Sequence, residues 1–244
     1  GSGHAGVGSV FGLSNARIAK ILDSPAIIVT RGGIGDPIDD VSLGLALFEK
    51  YKARVIGVIF NKVLTDKIDT VKEFAGRALA RIGVNLLGII PVEPLLAHPT
   101  GLQIARDIGA VFLAGEQHGR SRIRGIQLWT GPRTPLPRAQ GTLVIKAATT
   151  ASAGSLVVDL DTAPDSVACV VFCHGEMPRA QVLSLLSDMG IASIGVTGTP
   201  FDTMEAIRKM SVKIETDDHD KIQVIQKIVE RHIDIDRVLK LCRR

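Results

Sequence analysis

The chain has 244 residues, of which 45% are apolar and only 4% are aromatic, and its formal net charge is +4. Apart from Arg120, Arg122 and Arg124 the basic residues are scattered, and stacking aromatics are few, which disfavours a nucleic-acid partner. No apolar run approaches the roughly 18–20 residues that span a bilayer. The three cysteines form no disulfide framework, so we predict a cytoplasmic location without membrane partners.

Apolar segments alternate with longer helical ones through the first hundred residues. Runs rich in Val and Ile, bounded by Pro or Gly, predict strands at Pro25–Thr30, Arg54–Phe60 and Leu86–Ile90. Helices are predicted between them, at Pro37–Tyr51 and Thr65–Ile82. Strand, helix, strand, helix, strand with short links predicts a right-handed parallel sheet buried by helices.

A cluster of prolines after the third strand predicts a domain boundary. Pro91, Pro94 and Pro99 punctuate the chain there, so we assign residues 1–99 to a first domain and 100–244 to a second. The second domain shows the same alternation, with predicted strands at 141–145, 167–172 and 191–196 and predicted helices at 102–108, 178–189, 201–210 and 217–232. The whole chain is therefore predicted to be α/β.

Two glycine-rich segments are candidate binding loops. The run GSGHAG at residues 1–6 matches G-x-G-x-x-G, but it lacks a preceding strand and a directly following helix, which favours a flexible loop over a dinucleotide site. The run TRGGIG at 30–35 does lie between a strand and a helix, where α/β proteins bind ligands. Thr30, Gly32 and Gly33 are therefore candidate ligand-binding residues, and a tight connection without a ligand is the equal alternative.

Three further positions stand at or near strand ends. Asn61 offers both a donor and an acceptor, which suits the edge of a base, although a turn-forming Asn is the alternative. His174 and Gly175 end a strand of the second domain, where a ligand would meet the sheet. Cys169 and Cys173 lie on or beside the same strand, and we predict that they are buried rather than zinc ligands, because structural zinc takes four ligands in close pairs.

Three runs, GSGHAGVGSVFGLSNARIAKILDSPAIIVTRGGIGDPID, VIGVIFNKV and LLGIIPVEP, resemble the later half of the dethiobiotin synthetase-like P-loop fold. This family includes the cobyrinic acid a,c-diamide synthases and the N-terminal region of long bacterial phosphate acetyltransferases. The resemblance implies that Asn61 helps to bind adenine, with Pro91 and Val92 near the base. It also implies that Gly3 and Gly6 lie near substrate or phosphate. Because the sequence contains no G-x-x-x-x-G-K-[ST], it resembles a partial P-loop domain without Walker A.

The later runs GTLVIKAATTASAG, VVFCHGEMP, ASIGVTGTPFDT and VKIETDDHDKIQVIQKIVERHIDIDRV resemble the DRTGG domain, which follows the P-loop domain in those acetyltransferases. Thr149 lies where family members carry an acidic–basic pair, and His174-Gly175 stands where they usually carry Gly-Gly. These three residues are the candidate ligand-binding positions of the second domain.

Two functions from different classes fit these patterns. The first is a nucleotide- or small-ligand-sensing regulatory protein, predicted to be homodimeric, with no catalytic residue or metal ligand assigned. The alternative is a fragment, either of an ATP-dependent ligase or amide-forming synthase, or of a phosphate acetyltransferase regulatory region. The absence of an initiator Met and the Gly-rich start favour truncation. A structural oligomerisation module is a third, weaker hypothesis. The only cofactor expected is ATP with Mg²⁺.

Overall fold

The computed structural model describes residues 3–132, 134–136, 139–147, 153–161 and 165–243. Contacts divide the chain into two compact units, one formed by the described residues of 1–94 and 215–244 and the other by those of 95–214. Each unit has a sheet with helices packed on it, which confirms the predicted α/β class.

The first unit is built on three parallel strands. Its first six elements are α1 (Asn15–Ile21), β1 (Ala26–Arg31), α2 (Asp36–Lys50), β2 (Val55–Val63), α3 (Ile68–Arg81) and β3 (Leu86–Pro91). The strands are parallel, as the alternating pattern predicts, and they lie in the order β1-β2-β3. The sequence analysis missed α1 alone among these six, because seven residues are too few to display a helical period.

Helices α2 and α3 bury one face of this sheet. Val41 of α2 and Leu79 of α3 are fully or almost fully buried, and they pack in one cluster with Val58 and Phe60 of β2. Helix α2 begins as its sequence predicts, with Pro37 in the first turn and Asp36 and Asp39 at the positive end of the helix dipole.

The second unit holds a five-stranded sheet. Its elements are α4 (Gly101–Ile108), β4 (Val111–Ala114), β5 (Gly125–Trp129), β6 (Thr142–Lys146), α5 (Ala153–Asp161), β7 (Val167–Phe172), α6 (Ala180–Asp188), β8 (Ala192–Gly195) and α7 (Pro200–Lys209). The strand order is β4-β8-β7-β6-β5, in which β5 to β8 are parallel and β4 is antiparallel to β8.

Two apolar clusters lie on opposite faces of the second sheet. Ile104 of α4 and Ile207 of α7 pack on one face, whereas Leu156 of α5 and Leu186 of α6 pack on the other. The sequence analysis missed β4, β5 and α5. The two strands are only four and five residues long, and α5 carries adjacent β-branched valines that weaken its helical signal.

The C-terminal segment belongs to the first unit. Helices α8 (His219–His232) and α9 (Ile235–Cys242) follow α7, and Ile233 between them forms an antiparallel bridge with Gly88 of β3. Val238 and Leu241 pack against the face of the first sheet that α2 and α3 leave open. The predicted division at residue 99 places this segment in the second domain. The structure places it on the first sheet, because its apolar side chains cover that face.

We expect Gly88→Ala to loosen the C-terminal helices from the first sheet. A Cβ at Gly88 would lie 2.5 Å from the carbonyl oxygen of His232, so backbone must shift to admit it. Such overpacking costs about 1–3 kcal/mol of unfolding free energy, which urea denaturation measures. Gly76→Ala in α3 is the matched control, since a Cβ there meets nothing within 4 Å and should be neutral or stabilising. Equal stability of the two variants would contradict this packing.

Candidate functional site

The carboxyl ends of β1, β2 and β3 meet at one edge of the first sheet. Residue pairing aligns Arg31 with Asn61 and Val63 with Pro91. The backbone N–H of Val92 donates to the carbonyl of Val63 at 2.8 Å. This edge therefore brings together six of the predicted binding residues: Thr30, Gly32, Gly33, Asn61, Pro91 and Val92. We call it the first-sheet edge.

The glycines after β1 let their loop lie directly on the end of β2. A Cβ at Gly32 would lie 2.7 Å from Cα of Val63 and 2.9 Å from the carbonyl oxygen of Lys62. Gly33 has a φ of 141°, a conformation that side chains rarely adopt. Both glycines thus have a packing role, and that packing holds the loop beside the strand that carries Asn61.

Asn61 is half-buried at a local irregularity of β2. Its Oδ1 accepts a hydrogen bond from the backbone N–H of Lys62 at 2.9 Å, and Lys62 has a φ of 59°. The pairing of β2 with β3 shifts register between Phe60 and Val63. Oδ1 accepts this bond with one of its two lone pairs, and the Nδ2 amide is the donor that Asn61 can offer to a ligand.

Arg31 adds a positive charge to the first-sheet edge, and the sequence analysis did not select it. Its guanidinium lies 3.6 Å from the carboxylate of Asp36 and 3.8 Å from that of Asp40, both near the start of α2. The Arg31 side chain is 67% exposed, so these ion pairs are solvated and contribute little to stability. Its position next to the glycine loop was the signal that could have identified it.

The N-terminal loop that carries Gly3 and Gly6 has an internal hydrogen bond and packs against α2. The backbone N–H of Gly6 donates to Nδ1 of His4 at 3.1 Å. A Cβ at Gly44 would lie 3.7 Å from that of Ala5, which seats the loop against the middle of α2. Gly44 is eight residues into this helix, about 12 Å from its start at 1.5 Å per residue. A ligand role for Gly3 and Gly6 stays a prediction.

The second sheet has its own carboxyl edge, where β7 ends in an unusual turn. His174 and Gly175 both have left-handed backbones, with φ of 59° and 68°. Their N–H groups donate to the carbonyls of Gly198 at 3.0 Å and Val196 at 2.9 Å, so the turn is fastened to the segment after β8. Thr149, the third predicted residue of this site, lies outside the described residues.

A buried ion pair lies at the same edge. Nζ of Lys146, the last residue of β6, is 2.7 Å from Oε2 of Glu176. The Lys146 side chain is 1% exposed and that of Glu176 is 32% exposed. The sequence analysis did not select this pair. The sequence shows only that Lys146 directly follows an apolar strand segment. Its contact with Glu176 depends on the fold.

Cys169 and Cys173 are both buried in the core of the second sheet. Burial raises the pKa of the Cys169 thiol to about 12. Burial also raises the pKa of Cys173, whose sulfur lies 3.7 Å from Oγ1 of Thr203. Such thiols stay protonated near neutral pH and are poor nucleophiles and metal ligands. Within the described ranges, no three His, Cys, Asp or Glu side chains group as a metal site would require.

Fold and sheet edges together define a two-unit α/β protein with polar groups at the strand ends. A family described as an AAA domain matches residues 1–100. The phosphate acetyltransferase of Nitrosomonas europaea is 25% identical over 93% of this chain and 34% of its own length. That of Pseudomonas putida is 27% identical over 90% of this chain and 34% of its own. The chain thus spans about a third of the length of these curated relatives.

Among solved structures, the chain is weakly similar to the CBS and DRTGG domains of the regulatory region of Clostridium perfringens pyrophosphatase, complexed with the activator diadenosine tetraphosphate. The match has 11% identity, covers 84% of this chain and 86% of that chain, and has a TM-score of 0.33. A similarity this weak assigns neither a fold nor a ligand to this chain. In the part of the chain that the structure describes, every helix is too short or too polar to cross a membrane.

Proposed function

We propose that this chain is a regulatory segment of the phosphate acetyltransferase type that senses a nucleotide or another small ligand. The observation that carries the proposal is the convergence of six sequence-selected residues at the first-sheet edge. Loops at the carboxyl ends of parallel strands are where α/β proteins bind ligands. Similarity to phosphate acetyltransferases over nine-tenths of the chain supports the same proposal.

The groups at the first-sheet edge fit a base and a phosphate better than a metal. Asn61 supplies an amide donor, and Arg31 supplies a cation beside the glycine loop. The neighbouring carboxylates of Asp36 and Asp40 are paired with Arg31. We therefore propose that Asn61 contacts the base of ATP, and we assign no residue of this edge to Mg²⁺.

We expect Asn61→Ala to weaken ATP binding by about 1–3 kcal/mol, the usual cost of leaving a polar partner unpaired. Isothermal titration with ATP, with and without Mg²⁺, measures the effect. Asn85→Ala is the matched control, because Asn85 lies at the opposite end of the same sheet, where its Nδ2 donates to the carbonyl of Ile56 at 3.0 Å. Unchanged ATP affinity in Asn61→Ala would remove the assignment, and no heat from the unsubstituted chain would remove ATP as its ligand.

A second candidate function is a part of an ATP-dependent ligase or amide-forming synthase. Strand β1 is an edge strand that, among the described residues, pairs with β2 alone. Val29 on β1 is 58% exposed, and Ile21 and Leu22 at the end of α1 are 64% and 69% exposed. An open edge beside exposed apolar side chains is typical of a surface that another segment covers. Coding sequence upstream that contains G-x-x-x-x-G-K-[ST] would favour this function over the regulatory one.

The predicted homodimer and cytoplasmic location are parts of the first proposal. Sedimentation equilibrium of the purified chain tests the dimer, and a mass of one chain across the micromolar range would remove that part.

A further inference from the structure

A cleft of about 400 Å³ opens at the amino-terminal edge of the second sheet. Its walls come from the four turns that lead into β5, β6, β7 and β8, and these contribute Arg124, Gly141, Asp165 and Gly190. Because the strands are parallel, this edge is opposite the one that carries His174 and Gly175. We call it the Arg124 cleft, and it is separate from every site described above.

The local backbone fixes Arg124 at the cleft. Its N–H donates to the carbonyl of Gly141 at 2.7 Å. A Cβ at Gly141 would lie 3.3 Å from Cγ of Arg124, so the stem of the arginine lies across this glycine. Gly141 has a φ of 80°, and a Cβ there would also lie 2.6 Å from the carbonyl oxygen of Arg122. A glycine is thus required at position 141, because the backbone of Arg122 and the side-chain stem of Arg124 both lie close to it. Arg124 itself is exposed and accessible to a ligand.

The remaining walls of the cleft add polar, charged and apolar side chains. Asp165 contributes a carboxylate from a left-handed turn with φ of 67°. Gln140 contributes an amide, and Val167, Ala168 and Met189 contribute apolar surface. Ser121 and a second arginine, Arg122, also line the cleft. A volume near 400 Å³ lies within the range of about 300–1,000 Å³ that small-molecule sites occupy.

The arginine, the carboxylate and the apolar surface of the cleft together favour one class of ligand over others. The guanidinium of Arg124 binds phosphate, and the carboxylate of Asp165 is a hydrogen-bond acceptor that a bare phosphate would leave unused. A carboxylate beside a phosphate site suits ribose hydroxyls, which donate to it, and an apolar wall suits the flat face of a base. We infer that the Arg124 cleft binds a nucleoside monophosphate. Arg124 would hold the phosphate and Asp165 the ribose. This inference rests on the proposed nucleotide-sensing function and adds a second nucleotide site to the one at the first-sheet edge.

The inference is tested by titrating the full chain with AMP, adenosine and inorganic phosphate. We expect Arg124→Ala to weaken AMP binding by about 10- to 100-fold, the usual result of losing a charged hydrogen-bond partner. Arg208→Ala is the matched control, because Arg208 is an exposed arginine of α7 that does not line the cleft, and this variant should leave AMP affinity unchanged. Asp165→Asn, which keeps a residue that tolerates the left-handed turn, should weaken AMP and adenosine binding but not phosphate binding.

Each outcome decides one part of the inference. No heat from AMP, or equal AMP affinity in Arg124→Ala and the unsubstituted chain, would overturn it. Phosphate binding as tight as that of AMP would overturn the nucleoside part and leave a phosphate site. If Asn61→Ala abolishes AMP binding while Arg124→Ala retains it, the nucleotide binds at the first-sheet edge. That result would overturn this inference and support the proposed function.

Discussion

Replacing Trp129 by alanine is expected to lower the unfolding free energy by about 3–5 kcal/mol, the range measured for large buried aromatics. Trp129 ends β5 with a fully buried side chain in the cluster that α5 and α6 share with the second sheet. Its indole Nε1 also donates to Oδ2 of Asp159 in α5 at 3.1 Å. The substitution therefore removes both a large apolar volume and a link between sheet and helix.

The effect of Trp129→Ala should be measured by urea denaturation followed by circular dichroism, because Trp129 is the one tryptophan of the chain and its fluorescence is lost. Trp129→Phe is the control, since it keeps a buried aromatic ring, although a smaller one, and removes the N–H donor. We expect that variant to lose about 1–2 kcal/mol. A loss below 1 kcal/mol in Trp129→Ala would contradict the packing of β5 against α5 and α6.

Glu176→Gln is expected to destabilise the protein by about 2–3 kcal/mol, because it withdraws a carboxylate from a cation that is buried. Lys146 is 1% exposed, so its ammonium cannot recover full hydration when Glu176 loses its charge. The reverse change, Lys146→Met, should cost less, about 1 kcal/mol, because Glu176 is 32% exposed and water can solvate its carboxylate. Substituting Glu176 is thus predicted to lower the unfolding free energy more than substituting Lys146.

Thermal and urea denaturation of both variants measure this difference. Glu205→Gln is the matched control, since Glu205 and Lys209 form an ion pair of similar length, 2.8 Å, with side chains 51% and 72% exposed. An exposed pair one helical turn apart contributes about 0.3–0.5 kcal/mol, so this variant should be nearly neutral. If Glu176→Gln were as mild as Glu205→Gln, the Lys146 environment would have to be hydrated rather than buried.

A ligand at the carboxyl edge of the second sheet would meet this ion pair as well as the turn at His174 and Gly175. Lys146 ends β6, and the register places it beside Phe172, the last residue of β7. Glu176 directly follows Gly175 in the chain, so the ion pair adjoins the turn that was predicted from the sequence. The stability measurements above also establish whether Lys146 variants are folded well enough for ligand titration.

Hydrophobic periodicity and the positions of Pro and Gly by themselves determined the α/β class and the parallel arrangement of the first sheet. The strands around 26–31, 55–63 and 86–91 are short apolar runs bounded by Pro and Gly, and such local patterns need no distant contact to be recognised. The placement of Thr30, Asn61 and Pro91 at strand ends followed as well, and the pairing of β1, β2 and β3 in the structure brings those ends to one edge.

Only the tertiary structure decided the placement of the C-terminal helices and the partners of the charged residues. The amphipathic pattern of α8 shows that one face must be buried, but not which sheet buries it. Lys146 and Glu176 are thirty residues apart, and Arg124 and Asp165 are about forty apart, so their proximity depends on strand order. Patterns of charge and hydropathy can be recognised from residues that are close in sequence. Burial and ion pairing depend on neighbours that only folding brings together, so they could not be predicted from the sequence.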